Sequence, residues 1–145
     1  MDEILQIIKK TMSNSSLTES FFVAVLQRLI SFGYKLKEHD DWILCFAMQN
    51  VENRIKNTCN ITSIPDGLFS VAVDMVCGEF LFSKKQTGQL ELDGLDLTNA
   101  IASVSLGDAS VSLNGASDEE KFNQLLNHIK TKGEGEFVCY RKLKW

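Results

Sequence analysis

A chain of 145 residues is most simply one domain, able to bury roughly 68–70% of its unfolded surface and so to fold without disulfide or metal. Apolar residues at 44% and charged residues at 23% exclude a disordered chain, and a net charge of −4 excludes an overall nucleic-acid footprint. The longest uninterrupted apolar run, Trp42 to Met48, is too short to cross a bilayer, and Met1-Asp2-Glu3 lacks the basic start of a signal peptide, so the expected place is the cytoplasm.

Residues 2 to 12 read as a short amphipathic helix with Ile4, Leu5, Ile8 and Met12 on one face. Ser13-Asn14-Ser15-Ser16 breaks it, and Ser16-Leu17-Thr18-Glu19 fits a capping box. Leu17, Phe21, Phe22, Val25, Leu26, Leu29 and Ile30 follow at helical spacing until Gly33. A basic connector, Tyr34-Lys35-Leu36-Lys37, leads to a third helix starting at Asp40-Asp41. Leu44, Met48, Val51, Ile55 and Cys59 form its apolar stripe; Trp42, Cys45 and Phe46 are expected to widen it, with Glu52, Arg54 and Lys56 on the other side.

The stretch from Ile64 to Gln86 organises the rest. Ser63 can cap it, Pro65 suits a first turn, Asp66 favours the positive end of the dipole, and Lys84, Lys85 and Gly88 close it. Leu68, Ala72 and Met75 lie along one face, Phe69, Val73, Val76 and Phe80 along another, and Val71, Cys77, Leu81 and Phe82 fill much of the remainder. A helix apolar on most of its circumference is packed on several sides, and each large side chain buried there stabilises the fold by about 1.5–3 kcal/mol. Gly78 in its interior costs about 1 kcal/mol relative to Ala and marks a close approach by another helix or chain.

Gln89 to Asn99 reads as an irregular acidic loop. Alternation through Ile101-Ala102-Ser103-Val104-Ser105-Leu106 and Ala109-Ser110-Val111-Ser112-Leu113 around Gly107-Asp108 predicts a β-hairpin at about 101–113, its apolar face in need of a partner. Ser117-Asp118-Glu119-Glu120 starts a last helix, with Phe122, Leu125, Leu126 and Ile129 inward. Gly133-Glu134-Gly135-Glu136 reads as a flexible break before Phe137 to Trp145. The expected architecture is mainly α: a small helical bundle with a central buried helix over 1–132, a hairpin insertion, and an extended, flexible C-terminal docking tail over 133–145. Deleting 137–145 is expected to spare the fold, because the periodic apolar positions lie earlier.

Candidate chemistry is sparse. Cys45, Cys59, Cys77 and Cys139 contain no Cys-x-x-Cys spacing and read as buried free thiols. His39 and His128 stand without ligand-type neighbours, so no metal or cofactor is expected. Asp74, set among apolar residues, is either a buried acid with a raised pKa or, better, the partner of Arg28 or Arg54. Asp93 and Asp96 lack the other ligands of a calcium loop, and the glutamates around Gly133 and Gly135 would repel a phosphate. No Gly-x-Ser-x-Gly, His-Glu-x-x-His or Walker motif occurs, and no enzymatic activity is expected. Arg141, Lys142 and Lys144 interleave with Tyr140, Leu143 and Trp145, a pattern suited to a protein anchor and also to single-stranded nucleic acid.

Asn57-Thr58-Cys59-Asn60, Ile64-Pro65-Asp66-Gly67-Leu68 and Val73-Asp74-Met75-Val76-Cys77-Gly78-Glu79-Phe80-Leu81, together with Ser105-Leu106-Gly107-Asp108-Ala109-Ser110-Val111 and Tyr140-Arg141-Lys142-Leu143-Lys144-Trp145, resemble the head–tail connector (adaptor) proteins of tailed bacteriophages and prophages. The similarity spans residues 40 to 145, in order and spacing. It implies a structural virion protein that forms a homo-oligomeric ring under the portal, extends the DNA channel and receives the next tail-side head-completion protein. DNA would pass through without sequence-specific binding. It also implies assembly in the host bacterial cytoplasm, a final place at the head–tail junction, and no membrane. Tyr140, Arg141, Lys142, Lys144 and Trp145 would then dock on the portal, and Val104, Leu106, Gly107, Asp108, Val111 and Leu113 would contact neighbouring subunits. The reading from another class is a small cytoplasmic regulatory or nucleic-acid-binding protein that uses the basic-aromatic tail.

Overall fold

In a computed structural model, which describes residues 2–105 and 117–140 with the side chains of Val104, Ser105 and Cys139 excepted, the chain is mainly helical. The helices are α1 (Asp2–Thr11), α2 (Glu19–Ser31), α3 (Asp40–Cys59), α4 (Phe69–Gln86), α5 (Leu97–Ser105) and α6 (Asp118–Phe137). Short 3₁₀ turns cover Asp66–Leu68, Leu92–Gly94 and Val138–Tyr140.

The expected central helix is central. α4 packs against α2, α3 and α6, while α1 lies on α3 and α2, and α5 on α6. Val71 to Gly78 is buried without interruption, as are Phe80, Leu81 and Lys84. Its start differs from the expectation. Pro65 holds extended ψ (150°), the chain passes through the 3₁₀ turn, and the α-helix begins at Phe69, so Ser63 caps nothing. Gly78 does mark a close approach: a Cβ there would stand 3.4 Å from Ile129 Cδ1 and Cγ2 of α6.

The connection from α1 to α2 is built differently from a capping box. Thr18, not Ser16, is the N-cap of α2, its hydroxyl accepting from Phe21 N–H at 3.4 Å. The Ser15 and Ser16 hydroxyls instead donate to the Glu52 carboxylate on α3. Glu52, expected on the solvent side, is therefore buried (6% exposed), with Lys56 at 3.5 Å. The reverse holds for Trp42 and Phe46, expected to widen the apolar face of α3 and in fact pointing outward.

Gly33 closes α2 with φ +90°, and a Cβ would meet Asp96 N at 2.9 Å. The acidic segment returns across this glycine, Asp96 N–H donating to Phe32 C=O at 2.9 Å. Part of that segment is ordered as the 3₁₀ turn, and its end already belongs to α5.

The hairpin is not formed as expected: its first arm is α5. Leu97, Ala100 and Ile101 are buried at helical spacing, beginning upstream of the alternating window, and Asp96 Oδ1 accepts Asn99 N–H at the helix start. Ile101 to Ser105 satisfies both periods, and the longer helical register wins. The second arm, with Leu106, Gly107, Asp108, Val111 and Leu113, lies outside the described residues.

The expected break at residues 133–136 is also helical. Ser117 caps α6 as expected, accepting from Glu120 N–H at 3.2 Å, and Phe122, Leu125 and Ile129 face inward. The stripe then continues at four-residue steps through Gly133 to Phe137, which is only 3% exposed. Gly133 serves close packing here, since a Cβ would stand 2.9 Å from Met75 Sδ. A core position therefore lies inside the segment assigned to a detachable tail.

Candidate interaction site

The expected portal-docking residues separate into two sets. Tyr140 is partly buried in the last 3₁₀ turn and packs on Gly67, where a Cβ would overlap its hydroxyl. The absence of a side chain at Gly67 lets the ring sit against the entry to α4, so Tyr140 fastens the turn after α6 to the domain. Arg141, Lys142, Lys144 and Trp145 lie outside the described residues. Of the expected subunit-contact residues, Val104 is placed in α5 and the others lie outside the described residues.

Asp74 has the partner its setting demanded: Arg28 Nε donates to its Oδ1 at 2.7 Å, with the Arg28 guanidinium 4.8 Å over the Phe32 ring. Arg54 pairs with Glu79 instead, at 2.9 Å. Cys45 and Cys77 are buried free thiols, and Cys59 is buried as well. Burial pushes the Cys77 thiol well up, Asp74 adding to the shift and Arg28 opposing it. Cys45 is also raised, by burial and then by the Asp41 charge, against a hydrogen bond with Thr11. Neither environment favours a thiolate nucleophile at neutral pH. Among the described residues no three His, Cys, Asp or Glu side chains are grouped to hold a metal ion, and no helix is long and apolar enough to cross a membrane.

Two surface features have the character of interaction sites. The first is a knob. Trp42 and Phe46 lie one turn apart on α3 with ring centroids at 5.4 Å and planes tilted by 55°. They are 58% and 55% exposed, although the apolar stripe of their helix, Leu44, Met48, Val51 and Ile55, is committed to the core. The second is a groove of about 450 Å³ between α4 and α6, lined by Met75, Gly78, Phe82, Leu126 and Ile129 and overhung by Arg54 from α3. Glu79, Asn127 and Lys130 complete its rim. Gly78 is packed against Ile129 and Leu126 within this lining, and Phe82 is 48% exposed.

Both features were missed in the sequence because an apolar residue in an apolar helix was assigned to the core. The signal was present on α3. Trp42 and Phe46 share a four-residue step with Asn50, off the stripe of Leu44, Met48, Val51 and Ile55. On α4 the near-continuous apolar circumference gave Phe82 no such contrast.

Comparison with protein-family models, with curated proteins and with solved structures finds no match.

Proposed function

We propose that the chain is a head–tail connector subunit of a tailed bacteriophage or prophage, a structural protein that assembles into a ring under the portal. The ring continues the DNA channel and carries the next tail-side protein. The observation that supports this reading best is the pair of exposed apolar features, the Trp42–Phe46 pair and the α4–α6 groove, on a domain whose core is already filled. A subunit that meets its neighbours head to tail needs two different surfaces, and such contacts close into rings when the rotation allows. The knob and the groove are two such surfaces, and exposed aromatic clusters of this kind mark interaction sites more than solvent-facing decoration.

In this proposal residues 141–145 dock on the portal. Tyr140, packed on Gly67, provides the fixed point from which Arg141, Lys142, Lys144 and Trp145 reach it. The basic residues match an acidic portal surface or nearby DNA phosphate, and Trp145 offers a large anchor at low rotamer cost. Ending the chain after Tyr140 tests this without removing Phe137 from the core. The truncated protein should keep its circular dichroism spectrum and melting temperature, yet phage carrying it should accumulate DNA-filled heads that do not join tails. Infectious particles at wild-type yield would refute the docking role. Loss of single-stranded DNA binding on truncation, with no portal interaction in either form, would favour the regulatory nucleic-acid-binding reading.

A further inference from the structure

We infer that a cleft between α2 and α4 binds a carboxylate group, read by Arg28; this site does not depend on the ring reading and needs no second copy of the chain. The cleft holds about 480 Å³, within the range of small-molecule sites, which combine apolar walls with a few placed polar groups. Ala24, Phe69 and Val73 supply the apolar wall, and Ser31, Ser70 and Ser103 bring hydroxyls from α2, α4 and α5. Gln27 and Lys132 complete the lining around the Arg28–Asp74 pair.

Arg28 is fixed on two sides. Its Nε donates to Asp74 Oδ1 at 2.7 Å, and its guanidinium lies 4.8 Å over the ring of buried Phe32. A guanidinium carries five N–H donors, and the bond to Asp74 uses one of them. Among the described residues neither Nη nitrogen has a hydrogen-bond partner, and the side chain stays 24% exposed. Its rotamer freedom is already lost in the fold, so a ligand meets a preorganised fork of donors and binding costs less ordering. Asp74 is the positioning residue of this arrangement.

The fork restricts the ligand. Two parallel N–H donors match the paired oxygens of a carboxylate or a phosphate. Asp74 decides between them: it is the one acid among the described lining residues, and its charge offsets that of Arg28. A pair with no net charge accommodates a monoanion better than the −1.5 to −2 of a phosphate monoester. The Ser31 and Ser103 hydroxyls already donate to the carbonyls of Arg28 and Ala100. Ser70 has no such bond among the described residues and is free to donate to the anion. Half-buried Phe69 beside it suits a ligand with an aromatic or aliphatic body.

The test is an NMR titration of the isotope-labelled full chain with phenylacetate, with its neutral amide, with inorganic phosphate, and with a blocked dipeptide carrying one glutamate beside a phenylalanine. Phenylacetate or the dipeptide should saturate, moving the Arg28 Nε–H signal and the amides of Ser31, Ser70 and Ser103. The tighter of the two tells whether the carboxylate comes from a free acid or from an acidic side chain of a protein. The neutral amide and phosphate should bind about tenfold more weakly or worse, the scale of one charge-assisted hydrogen bond. Arg28→Lys keeps a cation for Asp74 and lacks the fork, and Ser70→Phe, at an exposed position, fills the cleft and leaves the pair intact. Each variant, once shown to keep the wild-type circular dichroism spectrum, should lose about tenfold or more in affinity; if Arg28→Lys does not fold, Ser70→Phe decides alone. No saturation by either carboxylate probe, equal binding of the neutral amide or of phosphate, or wild-type affinity in Ser70→Phe would each overturn the site.

Discussion

Asp40, 1% exposed, takes hydrogen bonds from Tyr34 Oη at 2.7 Å, from Lys37 N–H at 2.8 Å and from Lys84 Nζ at 2.8 Å. Lys84 Nζ also donates to Gln89 Oε1 at 2.9 Å, and the Tyr34 ring meets Phe80 edge to face at 5.3 Å. Burial, and then the neighbouring carboxylate, push the Tyr34 phenol far above its usual range, so it stays a donor. One carboxylate thereby ties the connector after α2, the start of α3, the end of α4 and the segment beyond it. Removing one partner of a buried pair strands the other, at a cost of about 3–5 kcal/mol, whereas replacing both with apolar groups is often close to neutral. Asp40→Ala should therefore lower the unfolding free energy by about that amount in urea, and the double change Asp40→Ala with Lys84→Met should recover much of it. An Asp40→Ala protein within about 1 kcal/mol of wild type would show that the network is ornamental.

At this scale the sequence was legible only in part. Asp74 could be read as needing a basic partner because it stood alone among apolar residues. Asp40 read merely as a helix-start residue and Glu52 as a solvent-facing one, because their partners, Lys84 and the Ser15–Ser16 hydroxyls, are remote in sequence. Local periodicity carries no information about such pairs. Their burial becomes visible only when the elements are packed.

At the scale of elements, the long helices were readable from their apolar stripes, and the errors fall where two patterns coincide. Ile101 to Ser105 alternates, yet with Leu97 and Ala100 it also fits a helix, and the helical register buries Leu97, Ala100 and Ile101. The two glycines near the end of α6 read as a hinge, but Gly133 fills a contact with Met75 and the stripe resumes at Phe137. Removing Phe137 should cost about 3–5 kcal/mol, with the Cys59 thiol contact to its carbonyl lost too, so a deletion beginning there should lower stability where one beginning after Tyr140 does not. Gly135 is different: a Cβ there meets nothing within 4 Å. In a helix interior, Gly135→Ala should stabilise the protein by roughly 0.5–1 kcal/mol, seen as a raised midpoint in urea. Unchanged or lowered stability would argue that this turn is not helical in solution.

For the whole molecule, the described helices bury the apolar stripes around α4 and leave an aromatic knob and an apolar groove unfilled. The mainly helical architecture was legible from periodicity, while the two surface features required knowing which apolar residues the core declines to bury. Trp42 and Phe46 lie off the α3 stripe by a fraction of a turn, and Phe82 is half exposed beside the groove between α4 and α6. The most direct measurement of the proposed role is a native mass spectrum of the full chain with its cognate portal ring. The account predicts one discrete complex in which a closed set of copies is bound to each portal, and no such complex once residues 141–145 are removed. A spectrum showing only free chain beside free portal, at concentrations where the chain is folded, would contradict it.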